Sequence, residues 1–177
     1  SGGVTRLGSA DGGVVEIVEM YLREISPDIE TEAEDIAVAL FSELLIADQL
    51  ARSRIAKVLP RGMELSQFSV LNHLSRVNDE RSPAQLARAF HVTRGAMTNT
   101  LNKLEWAGHI HIRPDWDDAR RKFVAISPSG RAARDAAVQA IAPLIADIVQ
   151  ALGEPKLRIV LPILRELRTR LELGDQA

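Results

Sequence analysis

Apolar residues recur every three or four positions through most of this chain and alternate with polar ones in only one short stretch. The first spacing predicts amphipathic helices and the second a half-buried strand. Val14, Ile17, Val18, Tyr21, Leu22 and Ile25 outline a short helix stopped by Ser26-Pro27-Asp28. Thr31 and Glu34 have capping-box spacing, with Thr31 as N-cap. The helix behind them is expected to run to about Leu59 on a stripe of Ile36, Leu40, Leu44, Ala47, Ala51, Ile55 and Val58, and Pro60-Arg61-Gly62 ends it.

Three shorter helices follow. Leu65 to Val77 carries Phe68, Leu71 and Leu74 behind a Ser66 cap, and Pro83 to Phe90 opens on a proline behind Ser82. His91-Val92-Thr93 is a tight connection to Arg94–Ala107, which Gly108 ends. Polar and apolar residues then alternate from His109 to Arg113, and Lys122 to Ile126 is a second β-prone run, so a hairpin with a long polar loop over 114–121 is expected. Ser127-Pro128-Ser129-Gly130 opens an Ala-rich helix to Leu152, and Pro155 starts the last helix. Pro143 and Pro162 predict kinks inside these two helices, or a restart near Pro162.

Composition agrees with a mainly helical fold. Of 177 residues, 23 are Ala and 21 Leu, while aromatics make up 4%. The chain has no cysteine, which excludes disulfides, thiolate zinc sites and thiol redox switching. The longest hydrophobic segments are broken by charge, so no membrane span is expected and a cytoplasmic protein is the simple reading. Ser1-Gly2-Gly3 carries no signal pattern. The long apolar stripes at both ends exceed what the small middle segment can cover, so a second copy of the chain is the expected partner.

The formal charge of −2 conceals a division. Residues 1–48 hold 11 acids and 2 bases, while residues 49–177 hold 20 bases and 13 acids. Such asymmetry hints at a polyanion-binding surface.

Between Ser82 and Gly108 the pattern of capped helix, tight turn and second helix is that of a helix-turn-helix. At about 100° per residue, Met97, Leu101 and Leu104 share the buried face, with Gly95, Asn99 and Asn102 opposite, flanked by Ala96, Thr98 and Lys103. Asn suits bidentate pairing with adenine, Thr suits a phosphate or thymine methyl, and Gly lets the backbone approach the groove. Arg94, behind Thr93, is set to meet a phosphate or a guanine edge. Arg120, Arg121 and Lys122 in the hairpin loop are placed to follow the backbone and enter the minor groove.

Leu65 to Leu71, Pro83-Ala84-Gln85-Leu86-Ala87, Thr93 to Glu105, and Arg113-Pro114-Asp115 through Asp118-Ala119-Arg120 to Ile126-Ser127-Pro128-Ser129-Gly130 together resemble the MarR family of bacterial transcriptional regulators. The resemblance covers roughly residues 35–173. It implies a winged helix-turn-helix in a homodimer with interlocked terminal helices, binding a pseudo-palindromic double-stranded DNA operator as a repressor released by a small aromatic or phenolic effector. By position it carries the recognition helix to Arg94–Lys103 and the wing-tip arginine to Arg120, with Asp118 orienting the wing. It also implies an effector cleft near His73 and Phe68. Trp116 and the helix at 14–25 depart from the family's commoner pattern.

The expected organisation is an N-terminal extension over 1–30, a long dimerisation helix over 31–62, the winged helix-turn-helix over 63–127 and dimerisation helices over 128–177. Two other readings are weighed against it. One is a winged-helix module for protein contact with an inactive DNA face. The other is a metal-dependent hydrolase or metal sensor using His109 and His111, two apart on one strand, with Asp115, Asp117 and Asp118 nearby. Neither cofactor nor catalytic residue is expected, since nucleophile elbows and phosphate loops are absent from the sequence.

Overall fold

The computed structural model describes residues 31–174, with side chains from residue 34 onward. The helix expected over 14–25 lies outside these residues. The chain divides into two units, with the boundary between Lys57 and Val58. The first contains most of α1 (Thr31–Val58), which is already helical at Thr31, so that residue lies within the helix instead of capping it. Ile36, Leu40, Leu45 and Leu50 on this helix are exposed.

The second unit runs through α2 (Leu65–Val77), α3 (Pro83–Ala89), α4 (Arg94–Trp106), β1 (Ile110–Pro114), β2 (Lys122–Ile126), α5 (Pro128–Leu152) and α6 (Glu154–Gly174). The fold is mainly helical with one small hairpin, a winged helix-turn-helix. Its core joins Val70, Leu71 and Leu74 of α2, Leu86 of α3, Met97, Leu101 and Leu104 of α4, Ile110 of β1 and Val124 of β2. The apolar spacing that predicted these faces is therefore the spacing that is buried.

The antiparallel hairpin pairs Ile110 with Ile126 and Pro114 with Lys122. A third extended segment is added where Arg81, between α2 and α3, exchanges backbone hydrogen bonds with Val124 at 3.1 and 2.8 Å. β2 is thereby paired on both edges, by β1 and by the Arg81 segment that leads into α3.

Several boundaries differ from expectation. Glu64, not Ser66, caps α2: Gln67 at the third helical position accepts the Glu64 backbone N–H at 2.8 Å, which leaves Ser66 inside the first turn. Phe90 caps α3, α4 ends at Trp106, and β1 begins at Ile110, since the His109 backbone is turned to serve Leu104 and Ser127. The last helix starts at Glu154, one residue before Pro155. It runs unbroken through Pro162, as α5 does through Pro143, so no restart occurs. A proline removes one ladder bond, and the Leu- and Ala-rich turns on either side sustain the rest.

By length and composition alone α5 would suffice to cross a membrane, contrary to the expectation from charge interruption. Its N-terminal half is docked: Ala137 and Ile141 are buried, Arg134 donates to Asn72 of α2 at 3.1 Å, and Arg131 donates to Asn78 at 2.9 Å, while Ile145, Ile148 and Leu152 further along are exposed.

Candidate nucleic-acid interface

The turn between α3 and α4 is closed by backbone bonds from His91 to Arg88 and from Val92 to Ala87, with His91 in the left-handed region at φ 51°. Two caps aim the helices. Ser82 Oγ accepts the Gln85 N–H at 3.1 Å and Thr93 Oγ1 accepts the Ala96 N–H at 3.1 Å. With Met97, Thr100, Leu101 and Leu104 buried beneath, α4 exposes Arg94, Gly95, Thr98, Asn99, Asn102 and Lys103. A Cβ added at Gly95 would meet nothing within 4 Å, so the space above that backbone is open to an approaching duplex.

Beside this face lies a groove of about 540 Å³ between the N-terminus of α3, the first turns of α4 and the hairpin loop. Arg88, Arg94, Arg120, Arg121 and Lys122 line it, together with Ser82, Gln85 and Thr98. Among the described residues, none of these five cations forms a salt bridge. Gathering uncompensated cations costs electrostatic free energy, and a polyanion offsets that cost.

Lys103 is directed elsewhere. Its Nζ lies 2.7 Å from Glu64 Oε1 at the start of α2, outside the groove. Arg88 and the start of α3 were not singled out from the sequence. Arg88 stands six positions before Arg94 across a tight turn, and only the folded turn brings the two to one surface.

The hairpin loop is closed. Asp115 N–H donates to the Arg121 carbonyl and Arg121 N–H to the Asp118 carbonyl, both at 2.9 Å. The Asp115 and Asp118 carboxylates accept the backbone N–H groups of Asp117 and Arg120, each at 3.0 Å. Asp118 thus shapes the wing, as its position implies. At the end of β1, Glu80 grips Arg113, with Nε to Oε1 at 2.9 Å and a second nitrogen on Oε2. This contact holds the Arg113 guanidinium above its usual pKa. The same group lies 5.0 Å from the Phe123 ring centre and 5.9 Å from that of Trp116.

Phe68 and His73 share an open cleft of about 450 Å³ with Asn72, Arg76 and Phe90, the His73 and Phe90 rings meeting edge to face at 5.4 Å. His109 and His111 are not brought together. His109 precedes the strand and lines a separate cavity of about 290 Å³ with Pro60, Gln67 and Ala133, while His111 is exposed on β1. Among the described residues no three His, Asp or Glu side chains are grouped to hold a metal.

A family profile described as MarR family matches residues 61–121, which span the start of α2 to the end of the wing loop. The chain is 31% identical over 116 residues to the transcriptional activatory protein BadR of Rhodopseudomonas palustris, a match covering 63% of this chain and 66% of that protein. Among solved structures, a mutant MarR from E. coli complexed with operator DNA superposes with a TM-score of 0.67 at 20% identity, covering 78% of this chain and 99% of that one. Bordetella bronchiseptica BpsR, in a structure described as a mechanism for regulation of its DNA binding by 6-hydroxynicotinic acid, gives 0.67 at 19% identity over 73% and 98%. On these matches, with the helix-turn-helix and wing described above, the chain belongs to the MarR family of DNA-binding transcriptional regulators, which are not enzymes.

Proposed function

We propose that this protein is a ligand-responsive repressor that binds a pseudo-palindromic operator as a homodimer in the cytoplasm. The observation that carries the reading is the groove of five cations with no carboxylate partner among the described residues, beside the exposed Asn99 and Asn102. Asn99 and Asn102 read base edges, Arg94 and Thr98 hold the helix in the major groove, and Gly95 admits the backbone. Arg120 enters the minor groove, while Arg88, Arg121 and Lys122 take phosphates. Thr93 keeps its hydroxyl oxygen for the helix cap, and its contribution is to aim the amides of the first turn.

Exposed apolar side chains support the dimer. Ile145, Ile148 and Leu152 on α5 and Ile159, Ile163, Leu164 and Leu171 on α6 face solvent in the single chain. Two-fold symmetry then sets the recognition helices about one DNA turn, ~34 Å, apart. The cleft of Phe68, His73 and Phe90 suits a small aromatic or phenolic effector, with Arg76 available to an acidic substituent. Preference of the effector for one spacing of the two heads provides the coupling.

BadR is described as an activator, which favours activation as the second reading of the sign. The reading head is the same in both cases, and the position of the operator relative to the promoter decides between them. Capturing genomic fragments on the purified chain and sequencing them tests the proposal. A pseudo-palindrome with half-sites one turn apart is expected; retention of no fragment would favour the protein-contact reading.

A further inference from the structure

Trp116 is 84% exposed, and the indole is the largest apolar surface that a side chain can offer to solvent. Its backbone is held on both sides, by the Asp115 N–H on the Arg121 carbonyl and by the Asp117 N–H on the Asp115 carboxylate. Its ring abuts Arg113, which Glu80 and Phe123 fix in turn. The backbone beneath the indole is therefore ordered before any partner binds, so part of the cost of placing the ring is already met within the chain.

We propose that Trp116 contacts DNA directly, packing its indole on the deoxyribose wall of the minor groove that Arg120 enters. The inference rests on the wing assignment made above. Trp116 and Arg120 belong to one closed turn and are four residues apart, so their α-carbons lie within about 14 Å even if the backbone between them were extended. The minor groove is about 6 Å wide and walled by sugars. With Arg120 inside it, a ring carried on the same closed turn is within reach of a wall.

The surroundings favour nucleic acid over protein. Arg120, Arg121 and Lys122 follow the indole in sequence, the Asp115 and Asp118 carboxylates are turned onto backbone amides, Glu80 is paired with Arg113, and Asp117 leaves one carboxylate against three cations. Contact with sugar faces is tolerant of sequence and neutralises no phosphate.

The test uses the full chain and a 30-base-pair duplex selected by it from a random pool, with binding followed by anisotropy of a dye on the DNA. In Trp106→Phe, Trp116 is the only tryptophan; its emission should shift on saturation and its quenching by acrylamide should fall about twofold or more. Trp116→Ala should weaken binding about five- to tenfold on selected and scrambled duplexes alike, with an unchanged salt slope, and Trp116→Phe should recover most of the loss. Unchanged emission at saturating anisotropy, or binding by Trp116→Ala within about twofold of the parent, overturns the proposal. Wild-type binding by Arg120→Ala overturns the underlying wing assignment, and is read without any tryptophan signal.

Discussion

Gly130 lies against the backbone carbonyl of His109 so closely that a β-carbon there would stand 2.9 Å from the carbonyl carbon, inside van der Waals contact of its oxygen, and 3.0 Å from Ile126 Cγ1. Hydrogen bonds of Ser127 lock the same joint. Ser127 Oγ donates to the Gly108 carbonyl at 2.7 Å and accepts the Gly130 N–H at 2.9 Å, while Ser127 N–H donates to His109. The segment after α4 and the start of α5 thus meet at Gly130, where the nearest obstacle is the His109 main chain, which cannot give way as a flexible side chain would. Gly130→Ala should destabilise the fold by about 3 kcal/mol, seen as a lower urea midpoint. Gly95→Ala, with open space above it, should leave that midpoint the same or slightly raised and weaken DNA binding instead.

Asn99→Ala should cost about 1–3 kcal/mol on the selected duplex and little on a scrambled one, because it removes base reading. Arg120→Ala should weaken both duplexes and reduce the slope of log K against log salt by about 1. Titrations at several salt concentrations separate the two effects.

The exposed stripe on α6 carries the dimer prediction. Ile163→Glu combined with Leu164→Glu would place charge where apolar surface is expected to be covered. Sedimentation should report a monomer for the double variant, and its duplex affinity should fall because one half-site is lost. A dimer of unchanged mass would remove α6 from the interface.

Asp79 is held below the usual carboxylate pKa, first by its hydrogen bond with Arg81 and next by the Glu80 backbone N–H. A depressed folded pKa gives stability that is present at neutral pH and lost as pH falls through the folded value. The carboxylate is fully exposed, so its effect is local: an NMR titration of Asp79 should show a midpoint below that of a free aspartate, and Arg81→Gln should raise it.

Where periodicity was strong, the sequence was readable. Met97, Leu101 and Leu104 were separated from Asn99 and Asn102 by helical geometry alone, and all five occupy the faces expected. Contacts between distant segments were not readable. Lys103 belongs to the polar stripe of α4, yet only the packing of α2 brings Glu64 to its ammonium 39 residues away. Arg88 joins the cationic groove only in the folded turn, whose left-handed position holds His91 in place of the glycine that would mark it in sequence. His109 looked like the first residue of a strand because the alternation includes it, but its backbone is engaged by Leu104 and Ser127.

The wing loop bonds its own amides before any duplex arrives. A loop that had to fold on contact would add a heat-capacity change beyond that of the area covered, and it would slow encounter. Here calorimetry should find a binding heat capacity accounted for by the contact surface alone, and association limited by diffusion and salt.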